Sequence, residues 1–370
     1  MSLNETYEIM QADNLVALIG KDGRGIVYNY DLMPYNLYIN SEEDFSVDVG
    51  INNLNNFYYW CSSRVLSLDR KYAKEILNAL NKKQAVTDKD RAEIAISYHC
   101  LSLNDVFWVR KQGEHLCFRA INLYENSLSN AFVDVCLRGK NPTLENSKLL
   151  VQKEVAGDVS TSGIAPKAWV RKNDGIYLYK DGDEKEVNAE LLASKICDCF
   201  KCSHVHYQAS EYDGELVSES KLITSTERSI VTMEAVEIYC VNHDIDKMKF
   251  VTSKDEYGYY MMNIIDYLVG NTDRHWGNWG FWVNNDTNEL LYLYPLMDFN
   301  KAFNSYDTVE GAGCLPENNV KTQKQAAIEA VEKIGLNQFD KIDESWFYDI
   351  AIKEMFVKRL QVLKQVEKKL

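Results

Sequence analysis

Hydrophobic and polar positions are ordered most clearly in the part of the chain that follows residue 155. The stretch AWVRKNDGIYLYK has apolar runs on both sides of an Asn-Asp-Gly turn, which predicts a β-hairpin that ends at Lys180. The next stretch, EKEVNAELLASKICDCF, has apolar residues at helical spacing and carries Glu186 and Glu190. A glycine-containing segment, GDVSTSGIAPKAW, precedes the hairpin. The predicted order is therefore loop, strand, turn, strand and helix.

A second group of elements is predicted further along the chain. GELVSESKLI has the pattern of a strand, and MEAVEIYCVNHD and KDEYGYYMMNIIDYLVG have helical spacing, the latter closing at Gly270. The stretch GNTDRHWGNWGF follows. Two apolar runs around a polar turn in WGFWVNNDTNELLYLYPLMDFN then predict a hairpin whose second strand ends at Asp298. Helical spacing recurs in KQAAIEAVEKIGL and EMFVKRLQVLKQVEKKL near the end of the chain.

Residues 1–150 have a more mixed pattern. LYINSEEDFSVDVGI is strand-like, and VFWVRKQGEHLCFRAINL predicts a hairpin around a Gln-Gly turn. Two helices are predicted between them, in SLDRKYAKEILNALNKK with a cap at Ser67 and in TDKDRAEIAISYHCL with a cap at Thr87. The fold class is therefore predicted to be α+β, with a mixed α/β accessory region of unknown role in residues 1–150.

Composition and charge limit the kinds of partner. The chain has 370 residues and a formal net charge of −14, from 41 basic and 55 acidic residues, which opposes direct binding to nucleic acid. We find no signal peptide and no apolar run long enough to span a bilayer, so we expect a cytoplasmic protein without a membrane partner. Signal-independent secretion stays open. An odd number of cysteines, 9, predicts reduced thiols.

Three cysteines and two histidines are close together in the sequence, namely Cys197, Cys199, Cys202, His204 and His206. Side chains of these types bind zinc in many proteins. The spacing is not a paired C-x-x-C module, however, and the first cysteines fall where a helical pattern is still running. We interpret them as buried cysteines at a helix end rather than as a metal site.

The remaining polar residues match the requirements of γ-phosphoryl transfer from a nucleotide. Asp298 and Asn278 offer the hard oxygen ligands that magnesium prefers, and Asp273 can orient an acceptor hydroxyl and receive its proton. Lys180 can bind the α- and β-phosphates, and a carboxylate on the following helix can hold that lysine. Each residue falls on the element that kinases use for it, and this order is more specific than any single motif.

The stretches GNTDRHWGNWGF, LYPLMDFN and SGIAPKAW…IYLYK resemble the HipA-like serine/threonine kinase family over residues 155–370. The resemblance implies a kinase-like two-lobed fold, with a catalytic domain in residues 151–370, a small lobe in 151–222 and a large lobe in 223–370. It implies Mg²⁺ and ATP as cofactors and a Ser or Thr hydroxyl on a protein as the acceptor.

Carried over to this sequence, the resemblance makes Asp273 the base, Asn278 and Asp298 the metal ligands, and Lys180 the ATP lysine. Glu190 is favoured over Glu186 as the partner of Lys180, and both stay open. Other implied ATP contacts are Ser160, Thr161, Ser162, Gly163 and Lys167 in the phosphate loop and Ser218, Glu219 and Lys221 in the hinge. Family members can also phosphorylate a serine of their own phosphate loop, and Ser160 has the matching offset from Lys167.

The chain departs from the family pattern in two places. The usual amino-terminal module is not recognisable in residues 1–150, which leaves an antitoxin-like regulator unsupported. MDFN also replaces the D-F-G of eukaryotic kinases. Two alternative functions stay open: a kinase of small molecules or nucleotides, and a catalytically silent kinase-like binding protein.

Some side chains in the 270–282 stretch have two interpretations. Arg274 could contact a phosphate or an acid in the following segment, or it could be solvated. We expect His275 to be structural, because Asp273 already supplies the base. For the three tryptophans of this stretch, Trp276, Trp279 and Trp282, packing is favoured over stacking against nucleic acid bases.

Overall fold

The computed structural model describes residues 6–41, 45–66, 71–79, 87–128, 130–138 and 165–370. The chain divides into two compact units. The first unit comprises residues 1–181, 221–229 and 283–289, and the second comprises residues 182–220, 230–282 and 290–370. The predicted boundary between residues 150 and 151 lies outside the described residues, so it stays a prediction.

The helices and strands of the described residues have the following bounds. The α-helices are α1 (Val47–Ser62), α2 (Ala73–Ala79), α3 (Asp88–Ser97), α4 (Phe118–Ile121), α5 (Asn130–Arg138), α6 (Glu184–Cys197), α7 (Met233–Asn242), α8 (Lys247–Val269), α9 (Gln323–Ile334) and α10 (Ile350–Glu367). The strands are β1 (Thr6–Gln11), β2 (Asn14–Gly20), β3 (Gly25–Val27), β4 (Phe107–Lys111), β5 (Lys167–Lys172), β6 (Gly175–Lys180), β7 (Tyr207–Tyr212), β8 (Glu215–Lys221), β9 (Arg228–Thr232), β10 (Gly280–Asn284) and β11 (Leu290–Leu293).

An antiparallel sheet in the order β3-β2-β1-β4 forms part of the first unit. Ile9 is opposite Ala17 on β2 and Val109 on β4, and a register shift follows Ile9 on β1. The inner positions of the sheet are fully buried, as are aromatic side chains of α1 such as Trp60. Burial of this apolar surface is the main favourable contribution to folding of the unit.

Two predictions in the N-terminal region were wrong. The strand-like stretch before residue 51 runs into helix α1, where Ser46 caps the first turn and buried residues recur at helical spacing, including Asn53 and Phe57. The VFWVRK segment forms no hairpin with the residues after it. It is strand β4, which pairs with β1, whereas Phe118–Ile121 is helical.

Several other predictions are confirmed by the backbone. Thr87 caps α3 with a reciprocal capping box to Asp90. Strands β5 and β6 form the predicted hairpin, and α6 follows with Asp183 as its N-cap. The predicted helix in residues 67–83 is present as α2, whereas Ser67 lies outside the described residues.

The second unit is built around helix α8, whose last turns are completely buried. The helix begins at Lys247, with a kink at Asp255, and ends at Gly270 in a left-handed conformation (φ 62°). A Cβ atom at Gly270 would lie 2.4 Å from the Tyr306 ring, so a larger residue would clash there. Helix α9 packs against α8 and α10, as the helical patterns near the end of the chain predict.

Strands β9, β10 and β11 form a sheet in the order β11-β10-β9. The prediction that the last strand ends at Asp298 was wrong, because β11 ends at Leu293. Leu296 instead bonds to another segment: its N–H donates to the Ser203 carbonyl, and its carbonyl accepts from Val205, both at 2.9 Å. Within the described ranges, no helix is long and apolar enough to cross a bilayer.

Candidate functional site

The turn after helix α8 is stabilised by polar side chains of its own segment. Asn271 donates to the Asp266 carboxylate at 3.3 Å and accepts from the Asp273 N–H at 3.1 Å. The carbonyl of Asn271 accepts a bond of 2.6 Å from Gln323 on α9. Because Asn271 and Gln323 are both buried, these bonds fix the backbone immediately before Asp273.

Arg274 is fully buried and makes four hydrogen bonds. Its Nε and Nη2 donate to the two carboxylate oxygens of Asp266 at 2.9 and 3.0 Å, which is a bidentate ion pair. Its Nη1 donates to the carbonyls of Asn278, at 2.8 Å, and Met297, at 2.6 Å. One guanidinium therefore connects the turn after α8 to the residue that precedes Asp298.

Asp273 and Asn278 are joined inside this turn. The side-chain amide of Asn278 donates to the Asp273 carbonyl at 2.8 Å. That bond uses the amide nitrogen, so the atom of Asn278 that could bind a cation is its carbonyl oxygen Oδ1. The five-residue spacing thus places a carboxylate and an amide oxygen on one short loop.

Asp298 has an unusual backbone conformation. Its φ angle of 62° lies in the left-handed region, which few non-glycine residues adopt and which is concentrated at functional sites. Its N–H donates to the Tyr207 hydroxyl at 3.1 Å. The conformation is therefore held from both sides, by Tyr207 and by the bond between Arg274 and the Met297 carbonyl.

The electrostatics link Asp273 to Asp298. Burial raises the pKa of the half-buried Asp273 above its ordinary value, His275, Lys301 and Arg274 oppose this, and the charge of Asp298 adds to it. Two carboxylates that disfavour each other's charge are suited to a shared cation.

The donor set fits a magnesium ion. Asp298 and Asn278 supply the carboxylate and amide oxygens that Mg²⁺ prefers. Oδ1 of Asn300, two residues after Asp298, is a buried oxygen with no hydrogen-bond partner among the described residues.

The two candidate glutamates of helix α6 have different surroundings within the second unit. Glu186 binds the ammonium of Lys301, which raises the lysine pKa. Glu190 is 1% exposed and accepts a hydrogen bond from the Ser218 hydroxyl. The pairing of Lys180 with either glutamate stays a prediction.

The first unit contains two buried lysines at one end of a hairpin. Lys167 and Lys180 are directly opposite each other in the β5–β6 register, at 9% and 7% exposure. Directly opposed residues of an antiparallel pair project from the same face of the hairpin. Two ammonium groups on one face are a suitable site for phosphate oxygens.

The remaining predicted ATP contacts are only partly described. Ser160, Thr161, Ser162 and Gly163 lie outside the described residues. Ser218 and Glu219 are buried on β8, where Glu219 accepts a bond of 2.9 Å from Gln208. Lys221 ends β8 and lies 3.9 Å from Asp174 in an exposed ion pair. Their predicted contacts with adenine stay predictions.

The solvated interpretation of Arg274 was wrong, because its side chain is fully buried. Its carboxylate partner is Asp266 in the preceding helix, which accepts from Nε and Nη2, and not an acid in the following segment. A contact of Arg274 with a phosphate stays a prediction. His275 accepts a hydrogen bond of 3.0 Å from the Gly277 N–H, a contact that shapes the turn. Trp279 and Trp282 are buried. Trp276 is half-buried, and the Lys247 ammonium lies over its ring, with Nζ 3.3 Å from the ring centroid.

Three contributors to this site were missed in the sequence: Asp266, Tyr207 and Lys301. Asp266 had a possible signal, because an acid in the last apolar turn of a helix needs a buried cation. Tyr207 and Lys301 had none, since their contacts depend on how distant segments pack.

No protein-family model and no curated protein match the sequence. Among solved structures, a chain of the Shewanella oneidensis MR-1 toxin–antitoxin complex of HipA, HipB and operator DNA aligns over 97% of both chains, at 12% identity and a TM-score of 0.53. The Helicobacter pylori proinflammatory kinase CtkA aligns over 56% of this chain and 92% of its own, at 15% identity and a TM-score of 0.43. The first of these likenesses confirms the prediction from the sequence: the chain has an α+β fold like that of HipA.

Proposed function

We propose that the protein is an ATP-dependent serine/threonine protein kinase that uses Mg²⁺. The observation that carries the proposal is the arrangement of Asp273, Asn278 and Asp298 around one buried guanidinium. Arg274 binds the carbonyls of Asn278 and Met297 and thereby fixes the loop of the proposed base beside the segment of the proposed metal ligand. Phosphoryl transfer depends mainly on such positioning and on charge stabilisation.

The acceptor hydroxyl is proposed to donate its hydrogen bond to Asp273 and to lose its proton there. A raised pKa suits this role, because a stronger base accepts a proton more readily. Asn278 and Asp298 would hold the magnesium ion, which would supply positive charge to the phosphate oxygens. Neither residue moves a proton in this proposal.

The lysines of the first unit are proposed to bind the nucleotide phosphates. Lys180, with Lys167 opposite it, would place positive charge against phosphate oxygens. Glu190 would orient Lys180, since Glu186 already binds Lys301. We therefore expect Glu190→Gln to raise the KM for ATP about tenfold or more and Glu186→Gln to raise it less, because a hydrogen bond to a charged group contributes about 1.5–3 kcal/mol.

The phosphate loop itself is proposed as one acceptor. Ser160, Thr161 and Ser162 supply hydroxyls close in sequence to the hairpin that carries Lys167. The other acceptor would be a Ser or Thr on a separate protein. An antitoxin-like regulator stays a prediction without support from any contact described above.

Intact-mass measurement after incubation with Mg²⁺ and ATP tests the proposal. We expect wild type to gain phosphate, and Asp273→Asn, Asp298→Asn and Lys180→Ala to gain none. Asp244→Asn is a matched control for Asp298, because it is an exposed aspartate with a similar left-handed φ of 53°. Lys172→Ala, an exposed lysine on the same hairpin, is the control for Lys180→Ala.

The outcomes separate the alternatives. The assigned roles are supported if phosphate is gained only by wild type and by the two control variants. Peptide mapping then tests whether the phosphate is on Ser160–Ser162. A wild type that hydrolyses ATP and phosphorylates free metabolites but no protein would replace the protein substrate by a small molecule. A folded wild type that binds no nucleotide by calorimetry would contradict the proposal.

A further inference from the structure

The segment after helix α6 brings together side chains that are separated in the sequence. The Sγ atoms of Cys197 and Cys202 and a ring nitrogen of His204 lie within 4.8 Å of one another. Cys197 is buried at the last position of the helix, and Cys202 is half-buried after the turn. The turn between them therefore allows two thiols and an imidazole to converge, although Cys197 and Cys202 do not have C-x-x-C spacing.

An unsatisfied polar atom lies in the same cluster. The His204 side chain is 5% exposed, and its Nε2 atom has no hydrogen-bond partner in favourable geometry among the described residues. The carboxylate of Asp198 is 3.3 Å from this nitrogen, at an ion-pair distance but outside hydrogen-bonding geometry. A buried imidazole nitrogen without a hydrogen-bond partner lowers the stability of the fold unless another group binds it.

We propose that Cys197, Cys202 and His204 bind one zinc ion. Two thiolates and an imidazole are a donor set that suits zinc, and a water molecule would complete the tetrahedron at the half-buried side of Cys202. The zinc ion displaces the thiol proton of each cysteine on binding.

The position of the zinc site gives it a structural consequence. His204 is bridged to Leu296, and Ser203 and Val205 bond to the same residue at 2.9 Å. Leu296 lies two residues before Asp298. The zinc ion would thus join the end of helix α6, through Cys197, to the strand segment that bonds beside Asp298.

Metal titration of the full chain tests this proposal without any assay of phosphorylation. The reduced protein is freed of metal with a chelator and titrated with Co²⁺ and then Zn²⁺. We expect one Co²⁺ per chain, with thiolate-to-cobalt charge-transfer absorption that Zn²⁺ abolishes. Zn²⁺ should also raise the midpoint of thermal unfolding.

Variants locate the site. Cys202→Ser should weaken binding by more than about 100-fold, since losing a direct ligand costs more than losing a group that orients one. Cys199→Ser is the matched control, because Cys199 is buried in the same turn but its thiol faces the Lys341 carbonyl at 3.6 Å. Circular dichroism of Cys202→Ser shows whether a loss of binding reflects unfolding, and His204→Gln provides a second variant if it does.

Three results would overturn the proposal. One is the lack of charge-transfer absorption in the reduced wild type. Another is unchanged metal binding by the folded Cys202→Ser and His204→Gln variants. The third is binding that depends on His206 and not on Cys202, which would assign the metal to the neighbouring group of Asp198, His204 and His206.

Discussion

The end of helix α8 and the turn that follows it place their carboxylates in different electrostatic surroundings. On the helix side, both oxygens of the buried Asp266 carboxylate bind Arg274, at 2.9 and 3.0 Å. On the turn side, Asp273 is half-buried, and burial and the charge of Asp298 raise its pKa although His275, Lys301 and Arg274 oppose this. The chain thus uses Arg274 to fix the backbone, and it keeps the proposed base, Asp273, where ionisation is costly. A divalent cation would relieve that cost.

The largest expected effect comes from the acid whose charge the proposed metal ion needs. We expect Asp298→Asn to lower phosphorylation by about 10³-fold or more, because a metal ion stabilises the transition state by several kcal/mol. Asn tolerates a left-handed φ, so the backbone at this position should be kept. The measurement is the single-turnover rate with Mg²⁺ and ATP. Asp244→Asn serves as the control and should keep the wild-type rate.

Removal of the proposed base should separate activity from stability. Asp273→Asn should lower the rate about 10²–10⁴-fold, as expected for the loss of a general base. The pKa of Asp273 is raised in the folded protein, so its ionised form lowers the free energy of unfolding at pH values above that pKa. This loss of stability disappears as the pH falls below the ordinary pKa of 3.8, where the carboxyl is protonated in both states. The variant should therefore unfold at a higher temperature than wild type at neutral pH and not below pH 3.8. A variant that melts earlier than wild type at neutral pH would contradict this account of Asp273.

The local elements of the site were predictable from the sequence, whereas its supports were not. The hairpin ending at Lys180, the helix with Glu190 and the Gly270 terminus follow from periodicity and turn residues over short windows. Arg274 could not be assigned, because its partner depends on the path of the chain through a turn. Strand β4 pairs with β1 across about a hundred residues, as Ile9 and Val109 do, and no local pattern selects that partner.

The missed helix α1 has a more instructive cause. Its start has a usable signal, because Ser46 precedes an acidic first turn at Asp48. The apolar residues alternate with polar ones just before that point, and this alternation suggested a strand. A capping residue followed by an acidic first turn is stronger evidence for a helix than a short alternating run of apolar and polar residues is for a strand.

The ion pair on the helix side can be tested with a double-mutant cycle. Arg274→Gln should reduce the free energy of unfolding by about 3–5 kcal/mol, because it leaves the buried Asp266 charge uncompensated. Adding Asp266→Asn should recover most of that loss, since no charge then remains buried. Denaturant unfolding measures both effects.

Activity in the same cycle should behave differently. The carbonyls of Asn278 and Met297 lose their shared donor in both variants, so phosphorylation should stay low in the stable double variant. Recovery of activity together with stability would mean that Arg274 acts on the fold only, and the comparison between the two regions would fail.

The smallest expected effect concerns the cations that surround Asp273. Lys301 lowers the pKa of this carboxyl and is itself bound to Glu186. Because the proposed base acts when ionised, activity should be lost as the pH falls through its pKa, and removing a nearby positive charge should move that loss to higher pH. We expect Lys301→Met to shift the acid limb of kcat/KM upward by up to about one pH unit, which corresponds to about 1.4 kcal/mol, and Lys301→Arg to leave it in place. An acid limb that shifts equally in both variants would indicate a change in the conformation of the loop. A shift in Lys301→Met alone would assign the titration to Asp273 and so locate the base in the turn after helix α8.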